Sequence, residues 1–176
     1  MPDALFLTPI FRGKGKKKIK VELRKCIKWC LTPFLKDKDL VDGYENIKSI
    51  IGIGELGAIV LLHLFLKYPD ANKKQIISLV GLDPTRFDSG SSVHKNSKIS
   101  KAGAKIYRGV LFMGTMTAIR YNPEMELFYN RLKENGKQTT QAQIAVMRKM
   151  IIIAHSLYKN NEKYSVEVYQ KACGAL

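Results

Sequence analysis

Acidic residues are scarce in this sequence. Asp and Glu together number 15 against 30 Lys and Arg, leaving a formal net charge of +15 over 176 residues. After Asp88 no acid occurs until Glu124, while Lys95, Lys98, Lys101, Lys105, Arg108 and Arg120 fall in between. Such a balance favours a polyanionic partner, nucleic acid first, with an anionic membrane surface or an acidic protein as the competing readings. Cysteine is sparse as well: Cys26, Cys30 and Cys173 form an odd set without nearby histidines. That argues against a disulfide framework and against a zinc site, and with no signal-peptide pattern the expected setting is cytoplasmic and nucleoid-associated. Long hydrophobic runs are absent too. The longest, Leu56–Leu66, is about half the ~20 residues needed to span a bilayer and contains His63, so it reads as a buried helix and no membrane partner is expected. No stretch alternates convincingly with period two, and no internal repeat of about 20 to 50 residues is present.

What remains is a composition that folds, 45% hydrophobic and long enough for one compact domain with a tail. Its most informative stretch is Gly81–Arg108, GLDPTRFDSGSSVHKNSKISKAGAKIYR, a polar loop running into a basic helix. Asp-Pro and Asp-Ser-Gly are turn-forming, so the hydroxyls of Ser89, Ser91 and Ser92 are displayed. If Ser100 caps the helix that follows, Lys101, Lys105 and Arg108 share one face of its first two turns and present three cations to the loop. A hydroxyl ringed by Lys and Arg suits phosphoryl transfer, because a phosphodiester under attack gains negative charge. The competing reading is a capped surface turn beside a solvated basic helix.

Upstream, Ile50–Ala58 reads IIGIGELGA. Gly52 and Gly54 flanking an Ile fit a helix-hairpin-helix, in which the glycines let the backbone approach a phosphate and the amides of the next helix bind it. An ordinary helix-helix turn, with small residues for close packing, stands equally beside it.

The remaining segments are helical in pattern. Residues 1–20 end in a basic block, RGKGKKKIK, and Val21–Leu35 repeats apolar residues near helical spacing. Asn72–Val80 is a short helix. Lys101–Tyr121 carries two apolar stripes, one through Ile106, Val110 and Met113, the other through Tyr107, Leu111, Gly114 and Ala118, and both are expected in the core. Asn122-Pro123-Glu124 opens a further helix that Gly136 stops, with Met125, Phe128, Tyr129 and Leu132 inward. A capping box of Thr140 with Gln143 opens the last helix, whose stripe is Ile144, Met147, Ile151, Ala154 and Tyr158. His155, among apolar neighbours, is expected to be a satisfied core histidine. The expected fold is therefore all-α, a compact multi-helix domain with a helix-hairpin-helix-like element and one catalytic-type serine loop. Its expected organisation is a basic arm (1–20), a helical connector (21–44), a helical domain (45–160) and a C-terminal tail (161–176).

At GLDP, DSGSS, KISKAG, YR, AIRYNP, FYNRLKENGK and AVMRKM, in that order after IIGIGELGA, the sequence resembles the C-terminal Tnp domain of DEDD-type insertion-sequence transposases, the IS-one-ten and IS-one-sixteen type. The resemblance covers roughly residues 45–158. It implies a DNA recombinase whose serine attacks a phosphodiester and forms a covalent protein-DNA intermediate. The family's Ser-Gly motif falls on Ser89-Gly90, which assigns the nucleophile to Ser89, with Ser91 and Ser92 as neighbouring candidates. Its lysine-glycine motif falls on Lys101 and Gly103 and its following arginine on Arg108, the expected phosphate-binding groups together with Lys98, Lys105, Gly52 and Gly54.

The family's N-terminal RuvC-like domain, whose acidic quartet holds divalent metal, has no expected counterpart before residue 45. No metal ligand is therefore assigned here, no cofactor is expected in this chain, and Mg²⁺ is expected only through such a domain. The implied partners are DNA, a structured guide RNA in some relatives, and either further copies of the chain or a RuvC-like partner. The alternative is a non-enzymatic DNA- or RNA-binding module, or an inactive transposase remnant.

Overall fold

The first helix among the described residues is Lys38–Lys48 (α1), where Asp39 in the first turn and Lys48 in the last complement the helix dipole. The structure is a computed structural model that describes residues 38–85, 88–89, 93–94, 98–167 and 169. The basic arm, the helix expected at 21–35, the three cysteines, Lys95, Ser91 and Ser92 lie outside the described residues, as does the side chain of Ser89.

A turn through Ile50–Gly54 leads into Glu55–Lys67 (α2). Gly57, Ala58, Val60, Leu61, Leu62, Leu64 and Phe65 are all buried, so this helix is covered on most of its circumference, as its continuous apolar run predicts. The Phe65 ring meets His155 edge-on at 5.3 Å and Tyr158 at 5.4 Å. Lys73–Val80 (α3) follows a capping box in which Asn72 and Gln75 exchange side-chain and backbone hydrogen bonds at 2.9 and 2.8 Å.

After α3 come two short antiparallel ladders, β1 (Pro84–Thr85) with β4 (Lys98–Ile99) and β2 (Asp88–Ser89) with β3 (Val93–His94), one nested inside the other. These are the only strands among the described residues, and the architecture is otherwise all-α as expected.

Three further helices follow: Lys105–Tyr121 (α4), Pro123–Glu134 (α5) and Thr139–Asn160 (α6). α4 packs on α2, α3, α5 and α6, and α6 also packs on α2, α3 and α5. The start of α5 follows the sequence reading, with the Asn122 side chain accepting from the Met125 amide at 3.4 Å and Pro123 in the first turn. Its end does too. Gly136 is left-handed (φ 73°) and donates to Lys133 O, while Lys137 donates to Leu132 O, closing the helix with a glycine stop.

Two expectations fail. The Thr140–Gln143 capping box does not form, because α6 starts two residues earlier, at Thr139 after Gln138, and Gln143 Nε2 instead meets Met116 Sδ at 3.1 Å. Only one of the two α4 stripes is core. Tyr107, Leu111, Thr115 and Ala118 are buried, whereas Ile106 is 46% and Met113 66% exposed. The packed helices meet α4 on one side, and the hydrophobicity of both its faces does not reveal which.

Beyond α6, where the sequence offers no motif, Tyr164 and Tyr169 dock on the domain. The Tyr164 amide donates to Ser49 Oγ at 2.8 Å, and its hydroxyl lies 3.2 Å from Asn122 Nδ2 and 3.3 Å from Glu124 Oε2. Burial, with the Glu124 carboxylate adding to it, pushes this phenol up to about 12.

His155 is buried, as expected, but it is not the satisfied histidine the sequence suggests, because its Nδ1 has no hydrogen-bond partner among the described residues. Burial first, then Lys159 and Lys73, lower its pKa below 6.5; burial and Lys67 do the same for His63. The unfolded chain thus takes up protons before the folded one does. Stability is complete above about pH 7 and falls as pH drops below 6.5 through the folded values. Thermal melts between pH 7.5 and 5 are expected to show this fall, reduced in His155→Leu. An unchanged pH profile in that variant would show that His155 has no part in it.

Candidate functional site

The chain leaves α3 through Gly81, whose left-handed backbone (φ 75°) lets its amide reach Ser78 O at 2.8 Å and the Leu82 amide reach Ile77 O at 3.1 Å. Leu82 is then buried, which anchors the start of the loop in the core. The returning strand zips to the departing one: Ser100 donates to Asp83 O at 2.8 Å, Lys101 to Gly81 O at 3.0 Å, and Thr85 Oγ1 to Lys98 O at 2.8 Å.

Pro84 pairs with Ile99 and Thr85 with Lys98; further out, Asp88 pairs with His94 and Ser89 with Val93. The register slips by one residue between the two ladders, so their pairing is not a simple continuation. What the sequence presents as a turn-rich loop is a β-hairpin. Ser89 stands on its outer ladder, next to the segment 90–92 that links it to its strand partner.

The base of this hairpin is a meeting of backbone with backbone. A Cβ on Gly81 would meet Ala102 N at 2.6 Å and Gly103 N at 2.7 Å, and one on Gly103 would collide with Leu79 O. Arg108 Nη1 bridges the same place, donating to Val80 O at 2.8 Å and to Gly103 O at 2.7 Å. Beside it, His63 Nδ1 and Tyr107 Oη are 3.0 Å apart. No local pattern announces that pair, since the residues come from two helices.

The local helix start differs from expectation. α4 begins at Lys105 after Ala104, with no side-chain cap. Lys101 has a positive φ of 55° and precedes the helix, so Lys101, Lys105 and Arg108 do not form a three-residue helical stripe. Ser100 does not cap. Its hydroxyl is buried without a hydrogen-bond partner among the described residues, while its amide joins the hairpin. Sequence spacing suggested a cap because it cannot register that the amides of Ser100 and Lys101, just past the returning strand, bond back to Asp83 O and Gly81 O.

Even so, Lys98, Lys101 and Lys105 cluster around the hairpin base, are exposed, and form no ion pair with an acid among the described residues. The first turn of α4 also holds no acid, so no carboxylate of that turn compensates its positive dipole end. Ser89 is four residues further along than Thr85, a span of at most about 14 Å.

Gly52 and Gly54 lie elsewhere. Gly52 (φ 104°) packs on the later part of α4, where a Cβ would meet Ala118 Cβ, Cα and N at 2.6 to 2.8 Å, and a Cβ on Gly114 would meet Gly52 O at 2.7 Å. Gly54 is exposed before α2, with open space around it. Ten residues of α4, roughly 15 Å of helix, separate Arg108 from Ala118. The glycine turn and the hairpin base therefore sit toward opposite ends of one helix and are two sites.

Among the described residues no group of three or more His, Cys, Asp or Glu side chains converges to hold a metal ion. No described helix is long and apolar enough to cross a membrane.

Residues 44–130 match the family model "Transposase IS116/IS110/IS902 family". The chain is 30% identical over 129 residues to the pilin gene-inverting proteins of Moraxella bovis and Moraxella lacunata, a match covering 70% of this chain and 39% of each of theirs. It is 26% identical over 121 residues to a 43.6 kDa protein of insertion element IS110 from Streptomyces coelicolor, covering 67% of this chain and 29% of that one. The chain thus spans well under half the length of these relatives. The matched span runs from within α1 to within α5 and takes in the whole serine hairpin, and this chain carries a transposase domain of the IS116/IS110/IS902 family.

Proposed function

We propose that this domain binds DNA and supplies Ser89 as the nucleophile for strand cleavage and exchange. The observation that carries the proposal is the hairpin: Ser89 sits on its outer ladder, and its base bears Lys98, Lys101 and Lys105 with no acid among residues 89–123. In the cleavage step the Ser89 Oγ–P bond forms, the bond from phosphorus to the leaving nucleotide oxygen breaks, and the hydroxyl proton passes to solvent or a base while the leaving oxygen is protonated. One phosphodiester replaces another, so the attack of a second strand's hydroxyl restores the DNA backbone and releases the serine. The lysines hold the substrate phosphates and offset the charge that develops on the transferring group. The relatives named for inverting a pilin gene support recombination as the class of reaction. Their longer chains leave room for a metal-bearing RuvC-like domain as a partner in it.

The test is covalent capture of the chain on nicked DNA with Mg²⁺, alone and with a RuvC-like domain supplied. A protein-DNA species that survives denaturation is expected in at least one of the two. Its absence from both, with DNA binding retained, favours the non-enzymatic binding module. Under either outcome, substituting Lys98, Lys101 or Lys105 by Ala is expected to reduce the slope of log affinity against log salt by about 1 for each phosphate no longer neutralised. Slopes equal to the parent's would place the DNA elsewhere.

A further inference from the structure

We propose that Arg108 is a positioning residue that locks the base of the serine hairpin to α3 and α4, not a group that holds the DNA phosphate. The inference deepens the proposed function and, for its catalytic consequence, rests on it. One guanidinium nitrogen, Nη1, directs both its hydrogens to main-chain carbonyls, Val80 O at 2.8 Å and Gly103 O at 2.7 Å. Those carbonyls belong to the last residue of α3 and to the segment just before α4, the two places where the hairpin is rooted.

The glycines make the junction possible. Gly81 and Gly103 carry no Cβ where the two segments touch, so the main chains lie against each other and a single arginine can span them. A charge-assisted hydrogen bond to each side fixes the pair. Arg108 is only partly exposed, in contrast to the exposed Lys98, Lys101 and Lys105. A hairpin rooted by two rigid helices delivers its outer ladder to one place, which a nucleophile needs, since misplacement by about 1 Å costs on the order of a hundredfold in rate.

Two readouts separate positioning from phosphate binding, and neither depends on catalysis. The first is hydrogen exchange at the Ser100 and Lys101 amides, which bond Asp83 O and Gly81 O across the hairpin base. The second is the salt slope of binding to a nicked DNA duplex. In Arg108→Met these two amides are expected to exchange at least about tenfold faster, with amides in the middle of α6 unchanged and the salt slope equal to the parent's. Lys105→Met should do the reverse, lowering the slope by about 1 and leaving the exchange alone.

A slope lowered by about 1 in Arg108→Met with unchanged exchange would overturn the proposal and return Arg108 to the phosphate. If Arg108→Met loosens the whole domain, Arg108→Lys keeps the charge but not the planar fork. Faster exchange confined to the hairpin base then supports positioning, and unchanged exchange overturns it. Where the parent forms the covalent species, Arg108→Met should slow its formation at saturating DNA without weakening binding. Where the parent forms none, the proposed function fails while exchange and slope still decide the role of Arg108.

Discussion

Ser89→Ala is expected to abolish the covalent protein-DNA species while changing DNA affinity by less than about twofold, a shift of roughly 0.4 kcal/mol. The asymmetry follows from what the hydroxyl does. In the proposed step it is the atom that becomes bonded to phosphorus, so its loss would remove the step itself, and nucleophile deletions of this kind cost at least about 10⁴-fold in rate. In the same proposal binding is carried by cations that neutralise phosphates, and a neutral hydroxyl contributes little to counterion release. A denaturing gel of the captured complex and a titration at fixed salt read the two quantities on one preparation. If Ser89→Ala keeps the adduct, the nucleophile moves to Ser91 or Ser92. If it loses affinity in step with the adduct, the hairpin has lost its shape and the variant says nothing of chemistry, which the exchange of the Ser100 and Lys101 amides would reveal.

Gly52→Ala is expected to destabilise the domain by about 2–4 kcal/mol, whereas Gly54→Ala costs no more than about 1 kcal/mol. At Gly52 two costs add. Its φ of 104° is one that residues with a Cβ rarely adopt, and the new methyl would sit 2.6 to 2.8 Å from Ala118, including its main-chain nitrogen and Cα, which cannot swing aside. Gly54 has φ −82° and nothing within 4 Å of an added Cβ, so only the weak preference for glycine over alanine before a helix is lost. A fall in melting temperature on the order of 10 °C for the first variant and a small one for the second is the expected pattern.

The same pair weighs the helix-hairpin-helix reading. If the amides beyond Gly54 bind a phosphate, Gly54→Ala weakens DNA binding while the melting temperature holds. If the turn only packs α2 against α4, neither binding nor slope responds in Gly54→Ala.

Local chemistry made a good part of this fold legible. The run Leu56–Leu66 is apolar but for His63, and α2 is buried on most of its circumference. Asn122-Pro123-Glu124 and Gly136 mark a helix start and stop through backbone preferences that act within a few residues, and both form as read. Interpretations that required choosing a partner did less well. The α4 helix has two apolar stripes, and which one is core depends on where α2, α5 and α6 lie, so Met113 is 66% exposed despite its hydrophobicity. Ser100 has the identity of a cap but the location of a strand end, and the hydrogen bond from its amide to Asp83 O decides between them.

The candidate site divides the same way. The sequence by itself determined that a serine-rich, basic stretch, without acids from Ser89 to Pro123, stands among helices, and that its ordered motifs resemble those of a transposase family, because charge and motif order are properties of the chain alone. Only the tertiary structure decided that the stretch is a hairpin with Ser89 on its outer ladder. It also separated Gly52 and Gly54 from the hairpin base along α4, and turned the Arg108 side chain to Val80 O and Gly103 O. Each of those facts is a meeting of residues distant in sequence, which spacing along the chain cannot encode: the approach of Gly103 to Leu79 and Val80 exists only once α3 and α4 have packed.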